Sequence, residues 1–244
     1  MIYLEIVIRE IEGLLANTKK LLKKYPQLSG INAPDIIDLP VRSYHAAEAL
    51  LKEKTHVIPH IRAIDNELAQ TVAIVKKLVN MGLKEVLVIK GDIPLDQDKI
   101  TYPITTIMVV KELKRHFPDL KIYCGLDQYR DTFEKELEYC HAKQAAGADG
   151  FFTQPFFDKK VAEEWLQKLE EFTICLGVCP VVTEKNKKYW VTKNKAVFPN
   201  SFGLDLEYNF ALAKNLLDLA EKYGQHAYLM PILVPADDFL KGVF

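Results

Sequence analysis

Short apolar, β-branched runs alternate along the chain with longer stretches whose leucines, valines and alanines recur at helical spacing. The runs Ile2–Ile8, Gly30–Asp35, His56–His60, Glu85–Ile89, Lys121–Gly125, Gly150–Gln154, Ile174–Val182 and Ala227–Val234 read as strands. Between them the spacing predicts helices over Ile11–Tyr25, Ser43–Lys54, Glu67–Asn80, Ile104–His116, Thr132–Ala146 and Lys159–Phe172. Two helical patterns, Lys187–Lys195 and Leu206–Tyr223, follow the seventh strand, and Asp237–Phe244 is a short closing helix. The punctuation agrees: Pro26 and Pro118 stop helices, Gly82 and Gly147 stand where C-cap glycines belong, and Ser43 reads as an N-cap. Eight strand signals in βα alternation over 244 residues predict an α/β chain, a (β/α)8 TIM barrel forming one domain over residues 1–244. A doubly wound open sheet would carry a Gly-rich dinucleotide fingerprint after its first strand, and none is present.

In such a barrel the C-terminal ends of the strands converge on one mouth, where active sites are built. The residues at those ends are Glu5, Asn32, His60, Asp92, Asp127 and Gln154, a set suited to acid/base chemistry on a small polar ring. Glu5 interrupts an apolar strand, so it must be paired, protonated or facing a cavity; burial would raise its pKa toward that of a general acid near neutrality. An ion pair with Arg9 or Arg62 is the structural alternative. Asp92 follows Lys90-Gly91 and precedes Ile93-Pro94, where a carboxylate serves either chemistry or the next turn. His60 reads as a ligand, a base or a hydrogen-bonded barrel histidine. Lys143 lies on a helix beside Lys135 and Glu136, both expected to be solvated, so spacing alone gives it little phosphate character. Phe151, Phe152, Phe156 and Phe157 bracket Gln154, as core or as a grip for a flat heterocycle.

Charge narrows the choice of partner. Lys plus Arg number 32 and Asp plus Glu 33, which gives no field for nucleic acid or an anionic membrane and leaves a small molecule as the expected ligand. No apolar run approaches the roughly 20 residues of a membrane span, and Met1-Ile2-Tyr3-Leu4-Glu5 lacks the basic region of a signal peptide, so the chain reads as cytoplasmic. The four cysteines, Cys124, Cys140, Cys175 and Cys179, read as buried thiols, and no His/Cys set completes a metal site.

Pro59-His60 with Ile64-Asp65, then Lys90-Gly91-Asp92-Ile93-Pro94, then Ala146-Gly147-Ala148-Asp149 leading to Thr153-Gln154-Pro155-Phe156-Phe157-Asp158, resemble the methylenetetrahydrofolate reductases. The resemblance runs in order from Glu5 to about Pro199. It implies a flavin-containing (β/α)8 barrel in which NADH or NADPH reduces FAD, and the flavin reduces 5,10-methylenetetrahydrofolate to 5-methyltetrahydrofolate, toward methionine biosynthesis. By that resemblance Glu5 is the general acid and Asp92 acts near flavin and folate. Gln154 contacts the folate, with Phe156 beside it. Asn32, His60, Lys90, Gly91, Asp92, Arg130 and Lys143 are the implied FAD contacts.

The chain departs from the family pattern at several points. Lys90 stands where an arginine is common, and Ile6-Val7-Ile8-Arg9 replaces an aromatic and double-proline run. Leu126-Asp127-Gln128-Tyr129-Arg130 replaces a Tyr-Pro-x-x-His segment, with no clear equivalent of the flavin-stacking tyrosine. These departures keep a second reading open: a flavin-free folate-binding barrel, either a one-carbon transfer or cleavage enzyme or a non-catalytic subunit. A homo-oligomer and an electron-donating partner protein also stay open.

Overall fold

The computed structural model describes residues 1–244 apart from Leu95 and Gln97. The strands β1 (Ile2–Glu5), β2 (Leu28–Ala33), β3 (Val57–Arg62), β4 (Glu85–Ile89), β5 (Lys121–Leu126), β6 (Gly150–Pro155), β7 (Ile174–Val178) and β8 (His226–Leu229) pair in parallel and in sequence order. The sheet closes where Tyr3 pairs with Tyr228 and Leu4 with Leu229. Outside it run α1 (Ile11–Lys24), α2 (Ser43–Lys52), α3 (Leu68–Asn80), α4 (Thr106–His116), α5 (Phe133–Ala145), α6 (Lys159–Lys168), α7 (Glu184–Asn194), α8 (Leu206–Lys222) and α9 (Ala236–Val243). The predicted (β/α)8 barrel is the observed architecture.

Strand periodicity sorts the core into two bodies. Outward residues such as Leu4, Ile31, Val57, Val86, Val88, Ile122, Phe151, Ile174 and Leu176 pack against the helices. Inward residues Tyr3, Ile58, Leu87, Tyr123, Phe152, Cys175 and Tyr228 fill the barrel. The same alternation places Glu5 two residues beyond Tyr3 and His60 two beyond Ile58, so these polar residues continue the inward rows upward.

Four strand ends fall short of their sequence signal, among them β2, which ends at Ala33 rather than Asp35. β1 ends at Glu5 rather than Ile8; Ile6 makes one further ladder bond, to Asn32 O at 3.3 Å, and Ile8 is buried among the helices. Strand β7 stops at Val178, ahead of Cys179-Pro180, because proline has no N–H to donate. Strand β8 stops at Leu229, before Pro231 and a Leu233 in the left-handed region at φ 62°. Ser43 is the first helical residue of α2 and Arg42 its N-cap; the Ser43 hydroxyl instead donates to Asp35 Oδ2 at 3.0 Å and to His60 O. Gly82 and Gly147 close α3 and α5 at φ 98° and 112°, as their positions predict.

Candidate active site

At the C-terminal mouth lies a cavity of about 620 Å³, of the size that holds a cofactor or drug-sized ligand. Its floor is apolar, formed by Leu87, Ile89, Phe152, Tyr228 and Met230. Glu5, Asp35, His60, Lys90, Gly91, Asp92, Asp127, Arg130, Lys143 and Gln154 bring polar groups to its walls and rim. Of the sequence-derived site residues, the fold therefore brings Glu5, His60, Lys90, Gly91, Asp92, Gln154, Arg130 and Lys143 to one cavity.

Glu5 has no ion pair with Arg9 or Arg62. Its Oε2 accepts a 2.7 Å hydrogen bond from Asn32 Nδ2, and Asn32 Oδ1 lies 3.0 Å from His60 Nε2. Burial raises the Glu5 carboxyl to about 7, with the Asn32 bond pulling the other way. Burial also pushes the His60 imidazole down to about 3, so it is neutral at working pH. Asn32 is fully buried, and its amide spans Glu5 and His60 rather than opening on the cavity.

Arg62 is buried and serves the neighbouring loops instead. Its Nε donates to Asp65 Oδ2 at 2.8 Å and its Nη2 to the backbone oxygen of Asp92. Arg42 pairs with both Asp35 and Asp65, which ties the ends of β2, β3 and β4 into one charged lattice. Gly91 fits under this lattice because it has no side chain: at φ 90°, a Cβ there would come within 2.9 Å of Arg62 Cζ. Asp92 is thereby held at the rim with its side chain exposed. Single-residue inspection of the sequence does not reveal this lattice, although two of its members, Arg62 and Asp65, lie close together in the chain.

The β5 side corrects one expectation. Glu136 is not solvated but almost wholly buried; it accepts from Asp127 N at 3.1 Å and from Arg130, and lies 4.0 Å from Lys143 Nζ. Lys143 is buried too, donating to Gly125 O at 2.6 Å, with burial lowering its pKa. The replaced loop has an internal task. Gln128 Nε2 donates to Gln154 O at 2.8 Å while its Oε1 accepts from Gln154 N at 3.0 Å, so a side-chain amide stands in for a neighbouring strand. Tyr129 donates to Pro155 O at 2.8 Å. Phe156, expected at the ligand, is buried in the shell between barrel and helices because it points outward from the end of β6. Asp158, which ends the same motif, caps α6 by accepting from Lys160 N.

The FAD implied by the resemblance needs a flat apolar surface and cations for its phosphates. The floor provides the first. Lys90 is exposed at the rim, and Lys193 and Lys195 line the same cavity beside Arg130 and Lys143, which share their wall with the carboxylates of Glu136 and Asp127. The residues present fit such a group, although Tyr129 is hydrogen-bonded into the barrel end rather than lying over the cavity. Among the described residues, no cluster of His, Cys, Asp and Glu could hold a metal ion.

The sequence model of the family described as "Methylenetetrahydrofolate reductase" matches residues 14–209, well over half of the chain. The chain belongs to the methylenetetrahydrofolate reductase family. A curated relative, "Probable methylenetetrahydrofolate reductase (NADPH)" of Caenorhabditis elegans, is 23% identical over 176 residues. That alignment takes in 68% of this chain but only 26% of the relative, so the chain spans about a quarter of that protein. Among solved structures, 2,3-dimethylmalate lyase superposes with a TM-score of 0.61 at 12% identity, covering 99% of this chain and 78% of that one. Oxaloacetate acetylhydrolase gives 0.62 at 10%, covering 98% and 78%. Orotidine 5'-phosphate decarboxylase from Pyrococcus horikoshii OT3 gives 0.57 at 12%, covering 100% and 97%. At such identities these likenesses report the barrel alone. The family match begins after β1, so Glu5 owes its place in the site to the geometry.

Proposed function

We propose that this family member reduces 5,10-methylenetetrahydrofolate to 5-methyltetrahydrofolate, with FAD as bound carrier and NADH or NADPH as the source of electrons. The observation that carries this reading is Glu5: a carboxyl raised to about 7 at the edge of an apolar-floored cavity that Gln154 also lines. Such a group is part-protonated at neutrality and gives its proton to a ring nitrogen of the substrate. Protonation opens the five-membered ring to an iminium ion, and the hydride that reaches its methylene carbon leaves a methyl group. FAD, when bound, supplies two-electron hydride chemistry; His60, Lys90, Gly91, Asp92, Arg130 and Lys143 are the residues that would hold it. Gln154 grips the folate by its amide. Asp92 places negative charge at the rim, which favours the cationic character that the substrate develops.

The test is anaerobic reduction of the purified, FAD-supplemented protein by NADH or NADPH, followed by methylenetetrahydrofolate. Bleaching and recovery of the flavin band support the relay. Glu5→Gln is expected to leave the first half-reaction intact and slow the second by at least about 100-fold; equal loss in both would remove Glu5 from the acid role. The internal hydrogen bond of Tyr129 and the pairing of Arg130 with Glu136 favour the second reading, a barrel that binds folate without flavin. Tetrahydrofolate binding by a protein that stays colourless with excess FAD would establish that alternative.

A further inference from the structure

We propose that His60 and Asn32 are positioning residues for Glu5: the imidazole fixes the orientation of the Asn32 amide, the amide holds Glu5 Oε2 as an acceptor, and the acidic proton is thereby confined to Oε1. The inference rests on the reading of Glu5 as the acid, but its two observables, the tautomer of His60 and the state of the Glu5 carboxyl, do not depend on turnover.

An asparagine amide has a donor end and an acceptor end, and its direction is set by its partners. Here the two contacts constrain each other. With Nδ2 donating to Glu5 Oε2 at 2.7 Å, the other end presents Oδ1 to His60 Nε2 at 3.0 Å, which must then carry hydrogen. A neutral His60 protonated on Nε2 satisfies this, and its burial keeps it neutral. The reversed amide would set Oδ1 against a carboxylate oxygen, a repulsive contact whenever Glu5 is ionised. Asn32 is fully buried, which makes that repulsion strong and the native orientation unique.

The consequence for Glu5 is directional. Oε2 receives a donor in both protonation states, so a proton placed there would compete with the Asn32 N–H. No hydrogen bond of the described residues reaches Oε1, and Glu5 lines the cavity. The other titratable groups that approach Glu5 are the Tyr228 phenol of β8 and the Cys179 thiol beyond β7, both kept neutral by burial. Tyr228 donates to Thr153 O and Cys179 to Pro180 O, so neither offers Glu5 a competing proton. Asn32 and Glu5 are register partners on adjacent strands, so the backbone ladder fixes the distance between them.

The experiment has two parts. Nitrogen-15 NMR of the wild-type imidazole is expected to show a neutral Nε2–H tautomer for His60 from pH 5 to 8; the Nδ1–H tautomer overturns the proposal without any variant. Infrared difference spectra, with the Glu5 band identified through Glu5→Gln, then follow the carboxyl titration. Asn32→Leu is expected to move it upward by about one pH unit, the size of one lost hydrogen bond to a charged group. His60→Leu should broaden or raise it, and His60→Gln, which can return an N–H to Asn32, should restore it. A Glu5 titration unmoved in folded Asn32→Leu and His60→Leu proteins overturns the proposal. If the titration moves as expected while wild-type protein does not reduce the folate, the positioning stands and the reductase reading fails. If folate is reduced and the basic limb of the pH–rate profile moves with the infrared titration, both stand.

Discussion

The acid role proposed for Glu5 and its effect on stability draw on one titration. Its folded pKa of about 7 lies above the ordinary 4.5, so between those values the folded protein binds a proton that the unfolded chain has released. The contribution of Glu5 to stability is therefore complete below about pH 4.5 and declines as pH rises toward 7, the range in which the proposed acid passes to part protonation. Glu5→Gln removes the ionisation while keeping a group that can accept from Asn32. This variant is expected to be more stable than wild type at pH 8 by roughly 2 kcal/mol, with no gain at pH 4.5, while the proposed folate reduction collapses. Chemical denaturation at the two pH values checks it; an equal stability difference at both would mean that Glu5 is not the titrating group. Gly91 gives the complementary case of a residue whose value is its absence of side chain. Gly91→Ala forces a Cβ against Arg62 Cζ at φ 90° and should cost about 1–3 kcal/mol in thermal denaturation, with weakened binding at the Asp92 rim.

At the level of elements, the end of β6 is held by a loop rather than by a strand partner. Its ladder with β7 shifts register between Phe152 and Pro155, and Gln128 fills the space on the other side with a bidentate amide. Gln128→Ala removes both bonds, so Gln154 is expected to lose its fixed direction: on the proposed reading, KM for the folate rises several-fold while kcat changes less, as measured by steady-state kinetics. Gln128→Glu should fail to restore it, because a carboxylate cannot donate to Gln154 O. The eight strands and their helices were legible in the sequence because a buried parallel strand has a local signature, a short β-branched run between helical periods. Glu5, His60 and Gln154 were legible for the same reason: strand alternation carries them onto the inward rows. Glu136 was not, since its near neighbours Glu134, Lys135 and Glu138 are charged and its burial is stabilised by the three-dimensional approach of Arg130, Lys143 and the Asp127 N–H. The Arg42–Asp35 and Arg62–Asp65 pairs were hidden similarly, and Phe156 was misplaced because it lies beyond the end of β6, where the register shift between Phe152 and Pro155 breaks the alternation that would put it on the face of Gln154.

Across the whole molecule, the two ends of the barrel hold buried carboxylates with opposite electrostatics. At the mouth, Glu5 has one neutral donor and its pKa rises. At the opposite end Glu85 is buried on the inner wall with His56 Nε2 at 2.7 Å, the Tyr3 hydroxyl at 3.2 Å, Tyr123 at 3.4 Å and Lys121 at 3.9 Å. Burial works to raise the Glu85 pKa, but His56, Lys121 and Tyr3 bring it below the ordinary value, while the Glu85 bond raises that of His56. The sign follows from each shift. The His56 contribution is complete below its ordinary 6.5 and is lost as pH rises through its raised folded value; the Glu85 contribution is present above 4.5 and is lost as pH falls through its lowered one. The pair therefore supports the barrel most strongly between these limits. His56→Ala leaves a buried carboxylate short of its main partner, which costs about 1–3 kcal/mol. At roughly 2–4 °C per kcal/mol for a chain of this size, the melting temperature should fall by several degrees at pH 6 and by less at pH 8. Because this pair is remote from the mouth, kcat/KM for the proposed folate reduction, measured below the melting transition, is expected to stay at the wild-type value. A His56→Ala protein with native melting but altered kinetics would mean that the two ends communicate through the barrel interior, by way of Tyr3, Phe152 and Tyr228, whose rings pack in series between them.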